Sequence, residues 1–433
     1  MDRKSPPVGR TLLTVGVMLI ATNLRPGVVS VSPELDAIRT GTGLPATAAG
    51  LLTTLPILCF GALAPFAPRL ARRIGARGAL GAMMLLLTAG IAVRTAPGTV
   101  PLFVGTVLVG AAIALSNVLV PALIKRDFHD RAGLMTGVYS VALFTGAALA
   151  AGVTVPLGGG LGLSWRGTLG MWAVWSALAF AVWLPQLRGA RADRPAAATS
   201  AAPGAAREAD GPSLWRSRLA WQITFLMGLQ SLEYYAAAAW IPTLLTDDGM
   251  ARAEAGWMLS LSSLAGITGS LLLTVLIGRA RSQVGFALAG SALFAVSFAG
   301  LMAAPTAGAY VWMIAMGLGS GLLIGAALAV VVLRAPDGVR AAEMSGMAQC
   351  VGYLLAAVGP FALGWLRDAT GGWTVPMLGL LVLTVPMALA GIAAGRDRTL
   401  PPRTSRCEND GESQIPRGES VPGHRPPLDT LER

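Results

Sequence analysis

About twelve apolar segments, each long enough to cross a lipid bilayer, follow one another along the chain. The hydrocarbon core of a bilayer is about 30 Å thick and requires about 20 apolar residues in an α-helix. The chain is 54% hydrophobic and 13% charged, which leaves too little polar surface for a soluble globular enzyme. We therefore predict an all-α membrane protein with twelve transmembrane helices. The predicted spans are 11–35, 46–68, 78–96, 100–124, 132–157, 167–187, 218–245, 254–278, 283–304, 309–333, 341–366 and 373–394.

Two polar segments divide the chain. Residues 188–217 are rich in Ala, Arg, Pro and Gly and predict a flexible linker, and residues 396–433 predict a disordered tail. The linker separates a six-helix lobe at 1–187 from a second lobe at 218–395. Related residues recur 209 positions apart, which indicates a duplicated six-helix unit: Arg72 and Arg281, Lys125 and Arg334, Arg131 and Arg340, Met135 and Met344, Gly137 and Gly346. In one transporter architecture, two such halves enclose the substrate site near the middle of the bilayer.

Basic residues fix the predicted orientation. In the twelve-span topology, 17 basic residues lie in or directly beside the loops on the N-terminal side, and 5 lie in the opposite loops: Arg39, Arg94, Arg166, Arg252 and Arg367. Cytoplasmic loops are the ones enriched in Lys and Arg. We therefore expect a multi-pass protein of the cytoplasmic membrane, with both termini, the linker and the tail in the cytoplasm.

Several function classes are disfavoured by what the sequence lacks. The formal charge of +11 is explained by cytoplasmic loops, so we expect no nucleic-acid partner. Three cysteines and two histidines, the latter both in polar segments, predict no metal site and no disulfide framework. The sequence contains no Walker motif, so we predict no nucleotide-binding site. A membrane-embedded enzyme would need clustered His, Asp or Cys, so we expect neither an enzyme nor a cofactor.

Arg25 is an ionisable residue in the interior of the first predicted span. Fifteen positions separate it from Arg10 at the cytoplasmic edge, too far for the side chain to reach back to water. The following Pro26 cannot donate a backbone hydrogen bond, which favours a kink that opens toward a cavity. A guanidinium there offers five donors to a carboxylate or another small anion. Alternatively, Arg25 bonds freed backbone carbonyls and only holds helices together.

Glu233 is the other charge predicted to lie within the membrane. Gln230, Glu233 and Tyr234 are spaced i, i+3 and i+4, which predicts that they share one face of the seventh span and line a lumen. Glu233 is interpreted either as a proton-coupling carboxylate or as the counter-ion of Arg25. Glu34 and Asp36, near the outer end of the first span, are expected to be solvated.

Amide and phenol groups in other spans are further candidates for substrate binding. They are Asn117 in the fourth span and Gln349 with Tyr353 in the eleventh. Such groups also bond neighbouring helices, so both roles stay open. Glycine clusters such as Gly105 with Gly110, and Gly317-x-Gly319-x-Gly321, are interpreted as close helix packing.

Four sequence elements carry a family resemblance. They are NLRP at 23–26 followed by SVSP at 30–33, VPALIKR at 120–126, GLQS at 228–231 with WIP at 240–242, and SGMAQ at 345–349 continuing to GGW at 371–373. In these elements the chain resembles the cyanate and nitroimidazole transporter branch of the major facilitator superfamily. The resemblance covers residues 10–395 and implies a secondary transporter of the cytoplasmic membrane for a small solute. We include Asn23, in the same element as Arg25, among the substrate-binding candidates.

The sequence departs from the superfamily pattern in two places. The loop between the second and third helices usually reads G-x-L-A-D-R-x-G-R-R, and here Arg72 occupies the position of the Asp. The candidate gating loop is therefore basic and consists of Arg69, Arg72, Arg73, Gly75 and Arg77. The tenth span, at 317–325, lacks the proline and the polar character of the branch, which suggests a changed pocket and substrate.

The predicted function is secondary active transport of a small polar or anionic solute by alternating access, with a proton as a candidate coupling ion. We expect a monomer in the lipid bilayer. A proton-coupled multidrug efflux antiporter is the alternative within this class, and Glu233 keeps it open. A non-transporting membrane receptor is the alternative from another class.

Overall fold

The computed structural model describes residues 7–128, 132–187, 214–277, 280, 282–336 and 338–399, and it is built from helices throughout those ranges. The first lobe contains α1 (Pro7–Asn23), α2 (Pro26–Val29), α3 (Leu35–Thr42), α4 (Ala46–Leu63), α5 (Ala67–Ile74), α6 (Ala76–Arg94), α7 (Thr99–Asp127), α8 (Ala132–Gly160) and α9 (Trp165–Leu187). The second contains α10 (Arg218–Asp247), α11 (Arg252–Ile277), α12 (Val284–Ala303), α13 (Ala309–Leu333), α14 (Gly338–Ala356), α15 (Val358–Thr370) and α16 (Thr374–Gly395). The predicted all-α membrane fold is confirmed.

Each predicted span corresponds to one helix or to two or more consecutive helical segments. Within the described ranges, 11 segments are long and apolar enough to cross a membrane. The remaining span is α10, whose 30 residues include Gln222, Gln230 and Glu233 and are therefore less apolar. Most of the predicted linker, 188–213, and the tail from 400 onward lie outside the described residues. Of the predicted linker, Leu214–Arg216 form a short 3-10 helix.

The first span is interrupted at Arg25. The α1 helix ends at Asn23, and Pro26 begins the one-turn α2, which is followed by a 3-10 turn over Ser32–Glu34. The backbone N–H groups of Val28 and Val29 donate to the carbonyl oxygen of Arg25 at 3.0 and 2.9 Å. Since proline cannot donate a helical hydrogen bond, the predicted kink beside Pro26 follows from its chemistry. A similar interruption at Ala357 separates α14 from α15 in the eleventh span.

Glycines allow the helices to pack closely. A Cβ atom on Gly317 of α13 would overlap the carbonyl oxygen of Ser262 in α11, and one on Gly146 of α8 would overlap that of Thr22 in α1. A Cβ on Gly105 would likewise overlap the backbone of Arg94. The interpretation of Gly105 and Gly317 as packing residues is confirmed.

Candidate functional site

A cavity of about 430 Å³ lies between the two lobes. The first lobe contributes lining residues from the break after α1 and from α7 and α8, and the second contributes residues from α10, α11, α13 and α14. Clefts of 300–1,000 Å³ commonly hold small molecules. This cavity, lined by both lobes, is therefore the candidate substrate site.

Arg25 is the one charged side chain that lines this cavity within the part of the chain that the structure describes. The interruption of the first span carries it there, on the lobe interface. Its Nη1 donates a hydrogen bond of 2.8 Å to the hydroxyl of Tyr235 on α10, so the contact joins the two lobes. The guanidinium has five N–H donors. Beyond the tyrosine bond it therefore retains donors for a ligand.

Aromatic side chains surround the guanidinium. Four of the five tyrosines of the chain line the cavity: Tyr139, Tyr234, Tyr235 and Tyr353. Tyr235 packs edge-to-face on Tyr234, with ring centroids 5.3 Å apart, and on Tyr353 at 6.4 Å. Phe60 of α4 packs edge-to-face behind Tyr235 and Tyr353, at 6.4 and 5.7 Å. We call Tyr234, Tyr235, Tyr353 and Phe60 the aromatic cluster.

The structure brings most of the sequence-predicted site residues together. The predicted residues that line the cavity are Arg25, Asn117, Gln230, Tyr234, Gln349 and Tyr353. Asn23 lies apart from the lining: its side chain is buried and donates to the carbonyl oxygen of Leu19 at 2.8 Å. The individual roles of these residues stay predictions.

Glu233 also lies outside the cavity lining. It follows Leu226 by seven positions and precedes Leu244 by eleven, so all three lie on one face of α10 at 3.6 residues per turn. Leu226 lies against Gly391 of α16, and Leu244 lines a surface cleft with Met377 of α16. Glu233 therefore faces α16. It is fully buried, neither carboxyl oxygen has a hydrogen-bond partner, and no ion pair joins it to Arg25 among the described residues.

The sequence interpretation missed Tyr139 and Tyr235. On α10, the polar residues that face the cavity are Gln230, Ser231, Tyr234 and Tyr235, which are spaced i, i+1, i+4 and i+5. The adjacent Tyr234 and Tyr235 could have indicated the cavity-facing side of α10, because two neighbouring phenols in a membrane helix can both reach a lumen if the exposed face is wide. Tyr139 lies in a predicted span without charged or amide side chains and carried no comparable signal.

The two-lobed helical architecture agrees with a match to a known family. The Major Facilitator Superfamily model matches residues 12–360 and, in a second match, residues 223–417. The chain belongs to the Major Facilitator Superfamily. The second match begins inside the second lobe, as expected when the two six-helix halves of this superfamily resemble each other.

Two curated relatives place the chain within the superfamily. It is 40% identical over 391 residues to the 2-nitroimidazole transporter of Escherichia coli, covering 90% of this chain and 97% of that protein. It is 27% identical over 380 residues to the cyanate transport protein CynX of Escherichia coli, covering 86% of this chain and 96% of that one. The resemblance seen in the sequence is confirmed, and the chain is a superfamily transporter of this branch.

Solved structures support the fold. The nucleoside transporter NupG superimposes with a TM-score of 0.72 at 13% identity, covering 88% of this chain and 99% of that one. At this identity the similarity shows the shared superfamily fold.

The candidate gating segment is mostly helical. Arg69, Arg72 and Arg73 lie on α5, and Gly75 ends that helix with a φ of 79°, a conformation that glycine adopts without strain. Arg77 forms an ion pair with Asp127 at the end of α7, at 2.8 Å. An aspartate from another helix thus meets the basic segment, although Arg72 occupies the usual aspartate position of the superfamily motif. The gating role of the segment stays a prediction.

Polar contacts join the lobes at two places, before α3 and at the start of α4. Arg252 of the second lobe forms an ion pair with Glu34 of the first, at 2.7 Å. The carboxylate of Asp368 accepts hydrogen bonds from the backbone N–H groups of Ala46 and Thr47, at 3.2 and 2.6 Å. It therefore caps α4 from the opposite lobe. We call the contacts Glu34–Arg252 and Thr47–Asp368 the interlobe latch.

Two expectations about charged residues are wrong. Glu34 is 5% exposed rather than solvated, because Arg252 of the other lobe covers it. Arg94 was assigned to an aqueous loop but is fully buried, and its Nη1 donates to the carbonyl oxygen of Gly27 at 2.7 Å. The interruption of the first span explains the second error, since it turns this carbonyl toward α6.

Proposed function

We propose that this protein is a secondary active transporter that moves a small polar or anionic solute by alternating access. Its substrate binds in the interlobe cavity with Arg25 as the anion-binding group. The observation that carries the proposal is the exposure of one guanidinium, with a tyrosine hydroxyl as its partner, to a cavity lined by both lobes. A charge within a membrane span is costly unless it faces a cavity or a partner, so a functional role accounts for its presence.

The interlobe latch supports alternating access. One contact joins Glu34, just before α3, to the first residue of α11, and the other joins the start of α4 to the last turn of α15. In alternating access, two halves rock around a central site and open it to one side at a time. Breaking the latch would free the lobes to separate at this end.

The relatives suggest the solute class. Their names assign them 2-nitroimidazole and cyanate, which are both small and carry strong hydrogen-bond acceptors. Arginine binds such acceptors through two parallel hydrogen bonds. We propose a solute of similar size with an anionic or strongly accepting group.

The proposed topology places both termini in the cytoplasm and the latch at the outer surface, from the excess of basic residues in the loops on the N-terminal side. Labelling of a cysteine at position 72 from outside intact cells would contradict it. We propose a monomer that works in the bilayer without a cofactor.

A proton-coupled multidrug efflux antiporter is the second candidate. The aromatic cavity lining and the buried Glu233 favour it, because such transporters need an apolar site and a coupling acid. Substrate binding that requires the positive charge of Arg25 would argue against this candidate. A non-transporting receptor would bind a solute without moving it.

The proposal is tested by ligand binding to purified protein, with cyanate and 2-nitroimidazole as probes. Arg25→Ala should abolish binding of a probe that wild type binds. Arg25→Lys should weaken it strongly, because lysine keeps the charge but lacks the planar pair of donors. Arg216→Ala, a change at an exposed residue before α10 and outside the cavity lining, is the matched control. Wild-type affinity in folded Arg25→Ala would show that Arg25 only holds helices together.

A further inference from the structure

We propose that the substrate is a flat aromatic ring that bears a single negative charge. The charge binds the Arg25 guanidinium, and the ring lies among the tyrosines of the cavity. This inference rests on the proposed function and narrows its substrate class.

The single charge of the substrate follows from the electrostatics of the lining. Arg25 supplies one positive charge, and the other polar lining groups in the described residues are hydroxyls and amides. A monoanion therefore leaves a neutral cavity. A second anionic group would be taken out of water without a counter-charge, which costs several kcal/mol in a low-dielectric site.

The aromatic ring follows from where the tyrosines lie. Tyr139 and Phe144 reach the cavity from α8 of the first lobe, and Tyr234 and Tyr353 reach it from α10 and α14 of the second. A ligand between the lobes therefore meets aromatic side chains on both sides. Aromatic rings attract one another in offset-stacked or edge-to-face arrangements, and this attraction adds to the free energy gained by burying their apolar surface.

The tyrosine that bonds Arg25 connects the two parts of the site. The hydroxyl of Tyr235 accepts from Arg25, while its ring packs against Tyr234 and Tyr353. A carboxylate at the guanidinium would thus place an attached ring next to the aromatic cluster. An aromatic carboxylate has this arrangement, with its charge directly on the ring.

Aliphatic lining residues provide the competing explanation. Val118, Leu143, Ile324 and Leu328 also line the cavity, and they would bury any apolar body in proportion to its area. Only the aromatic side chains distinguish a planar ring from a saturated ring of similar size. The test therefore compares such a pair of ligands.

The experiment measures dissociation constants by calorimetry on the purified full-length protein in nanodiscs. The probes are benzoate and nicotinate as aromatic monoanions, cyclohexanecarboxylate as the saturated match, benzamide as the neutral match and phthalate as the dianion. An aromatic pair contributes about 0.5–1.5 kcal/mol, so an aromatic monoanion should bind about 2- to 13-fold more tightly than cyclohexanecarboxylate. Benzamide and phthalate should both bind more weakly than benzoate.

Variants assign the preference to the cavity. Tyr353→Leu should bring the affinities for benzoate and cyclohexanecarboxylate together while leaving carboxylate binding in place. Tyr310→Leu is the matched control, because Tyr310 is half exposed at the start of α13 and outside the cavity lining. It should keep the wild-type ratio.

Two results would overturn the inference while leaving the proposed function intact. One is Arg25-dependent binding of cyclohexanecarboxylate as tight as that of benzoate. The other is Arg25-dependent binding of cyanate or 2-nitroimidazole with no binding of either aromatic monoanion. If every probe binds to Arg25→Ala as tightly as to the wild-type protein, the proposed function itself is contradicted.

Discussion

Glu233 is a carboxyl group buried inside the second lobe, on the face of α10 that meets α16. Neither of its oxygens has a hydrogen-bond partner among the described residues. An ionised carboxylate buried in this way is costly, whereas a protonated one is far less so. The group is therefore suited to holding a proton away from the substrate cavity. As a counter-ion of Arg25 it would have to move, because no ion pair joins the two residues in this structure.

We predict that Glu233→Gln folds normally and keeps counterflow exchange but loses uphill transport. Glutamine resembles the protonated acid but cannot release a proton. The measurement is solute accumulation in proteoliposomes under an imposed proton gradient, where the variant should not concentrate solute above the external level. Glu254→Gln, an exposed site in the first turn of α11, is the control. Uphill accumulation at the wild-type level would remove Glu233 from the coupling mechanism.

The sequence revealed some of the site residues and missed others for a physical reason. Arg25, Asn117 and Gln349 could be predicted because polar groups are rare and costly in membrane spans. Tyrosine has an apolar ring, so Tyr139 and Tyr235 fit a span without needing a function. Glu233 was expected to face the cavity with Gln230 and Tyr234. Residues at i+3 and i+4 are about 100° apart around the helix, and only the neighbours of α10 show which side meets the cavity.

At the scale of the helices, glycine positions determine how closely α11 and α13 approach. Any side chain at Gly317 would meet the backbone of Ser262. Gly379 of α16 has no atom within 4 Å of where its Cβ would be. The same substitution is therefore expected to have opposite effects at the two sites.

We predict that Gly317→Ala destabilises the protein by about 1–3 kcal/mol, since the added methyl group forces the helices apart. Gly379→Ala should be neutral or stabilise by up to about 1 kcal/mol, because alanine favours a helix over glycine. The free energy of unfolding, measured by denaturant titration in mixed micelles, distinguishes them. Equal stability of the two variants would contradict the packing account.

Hydropathy predicted the helices well but not their interruptions. The bilayer allows few spanning structures, so a run of about 20 apolar residues is a strong signal for a helix. Pro26 signalled the break in the first span. Pro360 cannot donate the helical hydrogen bond to the carbonyl of Ala356, which accounts for the break at Ala357. Pro121 and Pro242 lie inside continuous helices, however, so a proline alone does not predict where a span breaks.

At the scale of the whole molecule, the interlobe latch joins side chains and backbone groups of the two lobes outside the cavity lining. Glu34 was expected to be solvated because it lies near the outer end of a span, and the sequence does not show which loops of the two lobes meet. The duplication of six helices was visible in the sequence, whereas the contact between Asp368 and the start of α4 required the assembled lobes.

We predict that Asp368→Ala shifts the protein toward a state in which the lobes separate at the latch. The substitution removes the cap that α4 receives from the other lobe, which contributes about 0.5–2 kcal/mol. Spin labels at Thr40 and Thr374 should show a larger population at long distances. Asp248→Ala, at an exposed residue just beyond α10, is the control. An unchanged distance distribution would show that the latch does not set this equilibrium.

Transport by purified protein in proteoliposomes tests the central claim most directly. The measurement is uptake of radiolabelled cyanate, 2-nitroimidazole and benzoate into vesicles, with Arg25→Ala and empty vesicles in parallel. We predict saturable uptake of at least one solute by wild-type protein and none above empty vesicles by Arg25→Ala, because the guanidinium is the one charge that lines the cavity within the described residues. Uptake no faster than in empty vesicles for all three solutes, or equal uptake by Arg25→Ala, would contradict the account.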